Sequence, residues 1–279
     1  MIDPRLRIRD RAAAWGVVVD EMAETENSVL GFGRRADRPV TIKVFKQRDD
    51  ELLAGAVLRG FAGKSTVRML DQVEGVILLE RLMPGESLVT MVASGHDEDA
   101  SEVLAAVIGG MSPRDFPGVP TVEQWGQSFD RYHVGEGEPL PKALVEHAHN
   151  RYVKLCASQG HRRLLHGDLH HGNVLHDSQR GWLAIDPKGV LGELEYELGA
   201  AFRNPIERPD VFLQPRVIDH RSRCFADRLH LNADRILDWA FAQAVLSAVW
   251  LREDGAIVPA DHPWLELART IQAILKRDA

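Results

Sequence analysis

His166-Gly167-Asp168-Leu169-His170-His171-Gly172-Asn173-Val174-Leu175 carries the most information in this chain, because Ile185-Asp186-Pro187 follows it. Asn173 comes five positions after Asp168, and Asp186 thirteen positions after Asn173, with short apolar stretches between. Phosphoryl transfer from a nucleotide requires such a set. One carboxylate accepts a hydroxyl proton, while an amide oxygen and a second carboxylate hold Mg²⁺ on the phosphates.

On that reading Asp168 is the expected catalytic base, since a positioned carboxylate can orient a hydroxyl and take its proton. Asn173 and Asp186 are the expected metal ligands, because Mg²⁺ prefers hard oxygen donors. His166 then packs beneath the loop and orients it through backbone contacts, and His171 is a loop or substrate-side residue. A second chemistry is open to the same stretch: His166, Asp168, His170 and His171 have the composition of a Zn²⁺ or two-metal hydrolase site. Such sites need further ligands at defined later positions, and the remaining histidines show no paired spacing. A non-catalytic nucleotide-binding protein is the alternative outside enzymes, and the intact Asp168, Asn173 and Asp186 set argues against it.

Composition narrows the setting. The 279 residues, 44% of them apolar, suffice for one large domain or two lobes. A formal charge of −7 disfavours nucleic acid and suits a cationic small-molecule substrate. Cys156 and Cys224 are the two cysteines and form no Cys-x-x-Cys pattern, which disfavours a disulfide scaffold. Neither a signal peptide nor an apolar run long enough to span a bilayer is present, so the expected home is the cytoplasm, where ATP is available, with no membrane partner.

Short β-rich runs at 16–19, 28–32 and 39–45, a helix over 49–61, and strands at 66–70 and 75–80 predict a small antiparallel sheet with one helix. Pro84-Gly85 marks a change of regime. Helical segments are expected at 97–109, 122–132, 142–158, 215–230, 233–251 and 262–276, interrupted by the 166–186 stretch. The expected class is α+β and bilobal: residues 1–82 form an N-terminal nucleotide-binding lobe, and residues 83–279 form a larger, mainly helical lobe with the catalytic loop and substrate site.

Lys43, near the end of an apolar strand, is placed to bring an ammonium to the α- and β-phosphates. Glu51 on the next helix is its candidate partner, and Lys46 is the alternative lysine. A turn over the triphosphate falls in 27–33 and includes Ser28, although Gly31-x-Gly33 equally describes a plain hairpin. Glu80 and Leu82 end the last small-lobe strand and are candidates to meet an adenine edge through their backbones. Lys188 either neutralises phosphate or is a solvated loop lysine. Glu193 and Glu197, four apart, share a helical face where like charges repel, so both are candidates to receive a cationic substrate. Trp239 and Trp250 read as core.

The run 164–193, with LLHGDLHHGNVL, RGWLAIDPKG and VLGE, resembles the aminoglycoside phosphotransferase family, in its streptomycin 6-kinase and hydroxyurea phosphotransferase branch. Its Asp-to-Asp spacing is also that of the kinase catalytic loop. The resemblance implies a protein-kinase-like fold, ATP and Mg²⁺. It implies the base at Asp168, metal ligands at Asn173 and Asp186, and the phosphate lysine at Lys43. Pro187 stands where protein kinases have Phe-Gly, and the His-Arg-Asp and Ala-Pro-Glu segments are missing, so the implied acceptor is a small hydroxyl compound rather than a protein. Aminoglycosides such as streptomycin head that class, with another amine, sugar or hydroxyurea-like metabolite as the alternative.

Overall fold

A computed structural model describes residues 3–46, 53–113, 118–132 and 140–277. The chain begins with a helix absent from the sequence expectations, α1 (Pro4–Trp15). Its ends carry ordinary signals: the Asp3 carboxylate accepts from the Arg5 N–H at 2.8 Å, Pro4 stands in the first turn, and Gly16 stops the helix at φ +63°. Only Ile8 and Ala12 of this helix are buried, so its apolar period is faint.

Strands β1 (Val17–Glu24), β2 (Ser28–Arg35), β3 (Arg38–Phe45), β4 (Met69–Val73) and β5 (Val76–Glu80) form one antiparallel sheet in the order β1-β2-β3-β5-β4. Period-two alternation assigns the two faces of β3. Val40, Ile42 and Val44 pack with Ile8 and Ala12 of α1, while Thr41 and Lys43 face a cavity on the other side. The fourth strand starts later than the expected 66–70. Thr66 and Val67 leave the sheet and bridge to Ala184, with the Val67 N–H donating to the Ala184 carbonyl at 2.9 Å.

Of the helix expected over 49–61, α2 (Ala54–Phe61) is seen, and its earlier part lies outside the described residues. This helix belongs to both halves of the molecule. Ala54 and Leu58 pack with Ile77 and Leu79 of the sheet, whereas Val57 and Phe61 enter the large core beyond residue 88.

After Glu80 the chain crosses to β6 (Pro84–Ser87), which pairs with β8 (Val174–Asp177) and then β9 (Gly181–Ala184). Helices α3 (Val89–Ala93), α4 (Asp97–Gly110), α5 (Val122–Arg131) and α6 (Lys142–Ala157) follow. Strand β7 (Arg163–Leu165) pairs with β10 (Val190–Gly192), and six further helices complete the chain. They are α7 (Leu194–Glu197), α8 (Gly199–Phe202), α9 (Pro209–Phe212), α10 (Pro215–Leu229), α11 (Ala233–Glu253) and α12 (Pro263–Leu275). The central helix α11 buries thirteen of its residues, among them Trp239, which explains its broad apolar face. No described helix is long and apolar enough to cross a membrane.

Candidate active site

A cavity of about 510 Å³ lies between the sheet and the β8–β9 hairpin. Leu30, Ile77, Leu79, Leu175 and Ile185 give it apolar walls, and the 25–28 turn, Lys43, Asn173 and Asp186 supply its polar groups. Lys43 is buried and forms an ion pair with Asp186. Its ammonium also lies 4.9 Å from the centre of the Phe45 ring.

Backbone hydrogen bonds bind the catalytic loop to the Asp186 segment. The ring of His166 is fully buried; its Nε2 donates to the Ile185 carbonyl at 2.8 Å, while its Nδ1 accepts from the Asp168 N–H at 3.3 Å. Both bonds suit one neutral tautomer, and burial pulls the imidazole down to about 4. The Asn173 amide nitrogen donates to the Asp168 carbonyl at 2.9 Å, and the Ile185 N–H donates to the Asn173 carbonyl at 2.9 Å. Asp168, Asn173 and Asp186 therefore belong to one hydrogen-bonded unit. Asp186 has a left-handed φ of +62°, a conformation costing a non-glycine residue roughly 1–3 kcal/mol. At Gly167, φ is +83° and a Cβ would come within 2.8 Å of the Trp125 ring, so glycine is required.

The Asp168 carboxylate is flanked by Lys188 at 3.4 Å and Arg203 at 3.6 Å, one cation on each oxygen. Burial pushes its carboxyl up, but the attraction of Lys188, His170 and Arg203 outweighs it and holds the group well below the usual carboxylate range. Arg203 was not foreseen from the sequence. It lies 35 residues from Asp168 in the chain, and only the packing of α8 on α11, where Gln243 meets its guanidinium at 3.3 Å, brings it there.

Three residues expected on the substrate side sit elsewhere. Glu193 is 2% exposed; it accepts from Trp239 Nε1 at 2.5 Å, from the Arg235 guanidinium at 2.6 Å and from the Gly160 N–H at 2.8 Å. It ties α11 to the end of α6. Glu197 is also buried, and it accepts from the backbone N–H groups of His166 at 2.5 Å and Gly167 at 3.0 Å. Internal donors, the Arg235 guanidinium among them, meet the charge of these two glutamates. His171 is fully buried, and neither ring nitrogen has a partner among the described residues. Burial keeps that imidazole well below its ordinary range, hence neutral, and it does not line the cavity.

The nucleotide-side expectations divide. Ser28 lines the cavity, but its hydroxyl bonds Thr25 Oγ1 at 2.9 Å and so shapes the 25–28 turn. Residues 28–35 are strand, and the turn precedes them. Lys46 braces this hairpin, donating to the Thr25 carbonyl at 2.6 Å. The Glu80 N–H donates to the Arg68 carbonyl at 3.0 Å and its carboxylate pairs with Arg180, so its N–H is not free for an adenine edge. Leu82 lines the cavity. Glu51 lies outside the described residues. The histidines of the hydrolase alternative do not converge, and no group of three or more His, Cys, Asp or Glu among the described residues is placed to hold a metal.

The sequence model of the aminoglycoside/hydroxyurea antibiotic resistance kinase family matches residues 15–255. The chain belongs to this family. It is therefore a small-molecule kinase. A streptomycin 3''-kinase from Klebsiella pneumoniae is 31% identical to it over 250 residues, 86% of this chain and 91% of the relative. A streptomycin 6-kinase from Streptomyces glaucescens is 28% identical, across 82% of this kinase and 76% of its own length. A hydroxyurea phosphotransferase from Kitasatospora aureofaciens is 29% identical, across 90% and 74%. Among solved structures, a thermostable mutant of aminoglycoside phosphotransferase APH(4)-Ia in ternary complex with ADP and hygromycin B superposes with a TM-score of 0.64 at 16% identity, covering 97% of this chain and 98% of that one. Choline kinase LicA from Streptococcus pneumoniae gives 0.63 at 13% identity, covering 96% and 98%. The fold of this kinase is the bilobal, protein-kinase-like one.

Proposed function

We propose that this kinase transfers the γ-phosphoryl group of ATP to a hydroxyl of a cationic aminoglycoside, with streptomycin the first candidate, and so inactivates the antibiotic. One observation carries the reading: Lys43, Asn173 and Asp186 line a single cavity, and Asp168 is joined to it through the Asn173 amide. The overall charge of −7 and the relatives named as streptomycin kinases favour the cationic acceptor. The setting is the cytoplasm, which supplies the ATP.

In this account residues 1–82 hold the nucleotide and residues 83–279 supply the catalytic loop and the acceptor site. Lys43 exchanges part of its pairing with Asp186 for the α- and β-phosphates, and the 25–28 turn covers them. The backbone of Leu82, which bonds no described residue, meets the adenine edge. The donor set fits Mg²⁺: the Asn173 amide nitrogen is engaged by the loop, which leaves Oδ1 as a free hard oxygen in the cavity that Asp186 also lines. Mg²⁺, when bound, would neutralise phosphate charge there. Asp168 stays ionised throughout the neutral range and orients the acceptor hydroxyl. Being a weak base, it takes the proton only as the new P–O bond forms. Positioning and charge account for most of the acceleration.

Mg²⁺-dependent ADP release is measured with ATP and each member of an aminoglycoside panel. Release with streptomycin is expected; release only with a non-aminoglycoside alcohol overturns the acceptor assignment. Hydroxyurea belongs in the same panel, because its phosphotransferase is a relative that matches 90% of this chain.

A further inference from the structure

The two cations on Asp168 differ in kind. Arg203 is buried, with its side chain 9% exposed, and Gln243 holds its guanidinium from behind. Lys188 is anchored at the backbone, where its N–H and that of Gly189 both donate to the His166 carbonyl at 2.9 Å. Its side chain is nevertheless 52% exposed, on the open face of the carboxylate. Asp186 and Pro187 line the nucleotide cavity, and Lys188 is the next residue. Two residues of extended chain span at most roughly 7 Å. An ammonium carried at residue 188, and resting against Asp168, therefore joins the cavity's Asp186–Pro187 edge to the Asp168 carboxylate.

Resting on the kinase reading above, we infer that Lys188 is a catalytic residue that binds the phosphoryl group in flight. As the bond from the γ-phosphorus to the β-γ bridging oxygen breaks and the bond to the acceptor oxygen forms, negative charge spreads over the three non-bridging oxygens. The Lys188 ammonium turns from the Asp168 carboxylate to those oxygens and donates hydrogen bonds without losing a proton. The acceptor hydroxyl takes the vacated place on Asp168 and delivers its proton there, and ADP leaves with the bridging oxygen. Arg203 remains behind as the permanent counter-ion. The division explains why one carboxylate has two cations, only one of them exposed.

The competing role is a counter-ion that merely keeps Asp168 ionised, and the two roles separate experimentally. Lys188→Met is expected to lower kcat roughly 10²-fold, the scale for losing one preorganised transition-state donor, with KM for ATP within about threefold of wild type. The loss should persist across the whole pH profile, and added alkylammonium should partly restore Lys188→Ala. A near-normal plateau with only a shifted acid limb makes Lys188 a counter-ion and overturns the inference. A raised KM for ATP at unchanged kcat also overturns it, since the contact would then exist in the ground state. Lys188→Arg, which keeps the charge, should retain more activity than Met at the same thermal midpoint. Calorimetry gives a readout free of turnover. Aluminium fluoride should tighten ADP binding to wild type but not to Lys188→Met, with ADP alone bound equally by both; equal tightening in both proteins overturns the inference. If streptomycin elicits no ADP from wild type, the acceptor proposal fails alone, and Lys188 is read from the slow hydrolysis of ATP and from calorimetry.

Discussion

Two acid-bearing regions lie close together in this molecule and behave in opposite ways. At Asp168 and Asp186 the carboxylates keep 21% and 44% of their side-chain surface exposed, with the ammonium groups of Lys188 and Lys43 against them. At Glu193 and Glu197 the carboxylates are 2% and 3% exposed, and N–H donors from distant parts of the chain occupy them. On the proposed mechanism a ligand displaces the partners of the first region, while the second holds the first in place. Glu197 grips the backbone at His166 and Gly167, directly before Asp168, so a buried acid fixes the path on which a reactive acid depends.

The largest expected effect falls on the open region. Asp168→Ala should lower turnover at least roughly 10²-fold. Comparable turnover would erase the contrast. The closed region should respond in stability first. Glu193→Ala removes the carboxylate from the Arg235 guanidinium and leaves the buried Trp239 N–H without its acceptor, at a cost of about 3–5 kcal/mol in denaturant unfolding. Glu197→Ala orphans two loop amides, costing about 2–4 kcal/mol, and should lower kcat as well because the loop loosens. A smaller, chemically specific effect is expected from Asn173→Ala, where the Mg²⁺ concentration for half-maximal rate rises roughly tenfold.

The smallest effect concerns pH and has opposite signs in the two regions. Burial, opposed by the loop amides, pushes Glu197 up from 4.5 to about 7. Its folded form binds a proton that the unfolded chain releases. Its contribution is therefore present below about pH 4.5 and is lost as pH rises through 7. Asp168 is held below its ordinary value, so its contribution is present above about pH 4 and is lost as pH falls. Unfolding measured between pH 5 and 8 should show a decline that Glu197→Gln removes and Asp168→Asn does not.

Much of the architecture was legible because local pattern and burial agree. The alternation of Val40, Ile42 and Val44 with Thr41 and Lys43 places the lysine on the cleft face before any contact is known. The helices over 97–109, 142–158 and 233–251 appear within two residues of their expected ends. Helix α1 escaped because its polar surface hides its period, although Asp3-Pro4 and Gly16 mark both ends. Thr66 and Val67 read as sheet in sequence because their β-rich content is the same whether they pair with a neighbouring strand or bridge to Ala184.

The amino-acid order alone pointed to phosphoryl-transfer chemistry along 166–186, because the candidate groups there are close in sequence and their spacing is set by one loop and one hairpin. What the neighbouring acids do was decided only by the tertiary structure. A glutamate at 193 or 197 looks the same in sequence whether it meets solvent or buried donors, and the donors come from α6, α11 and the catalytic loop. The same holds for Arg203 and for the place of Lys188 beside Asp168, since each pairing depends on packing between segments that no local pattern connects.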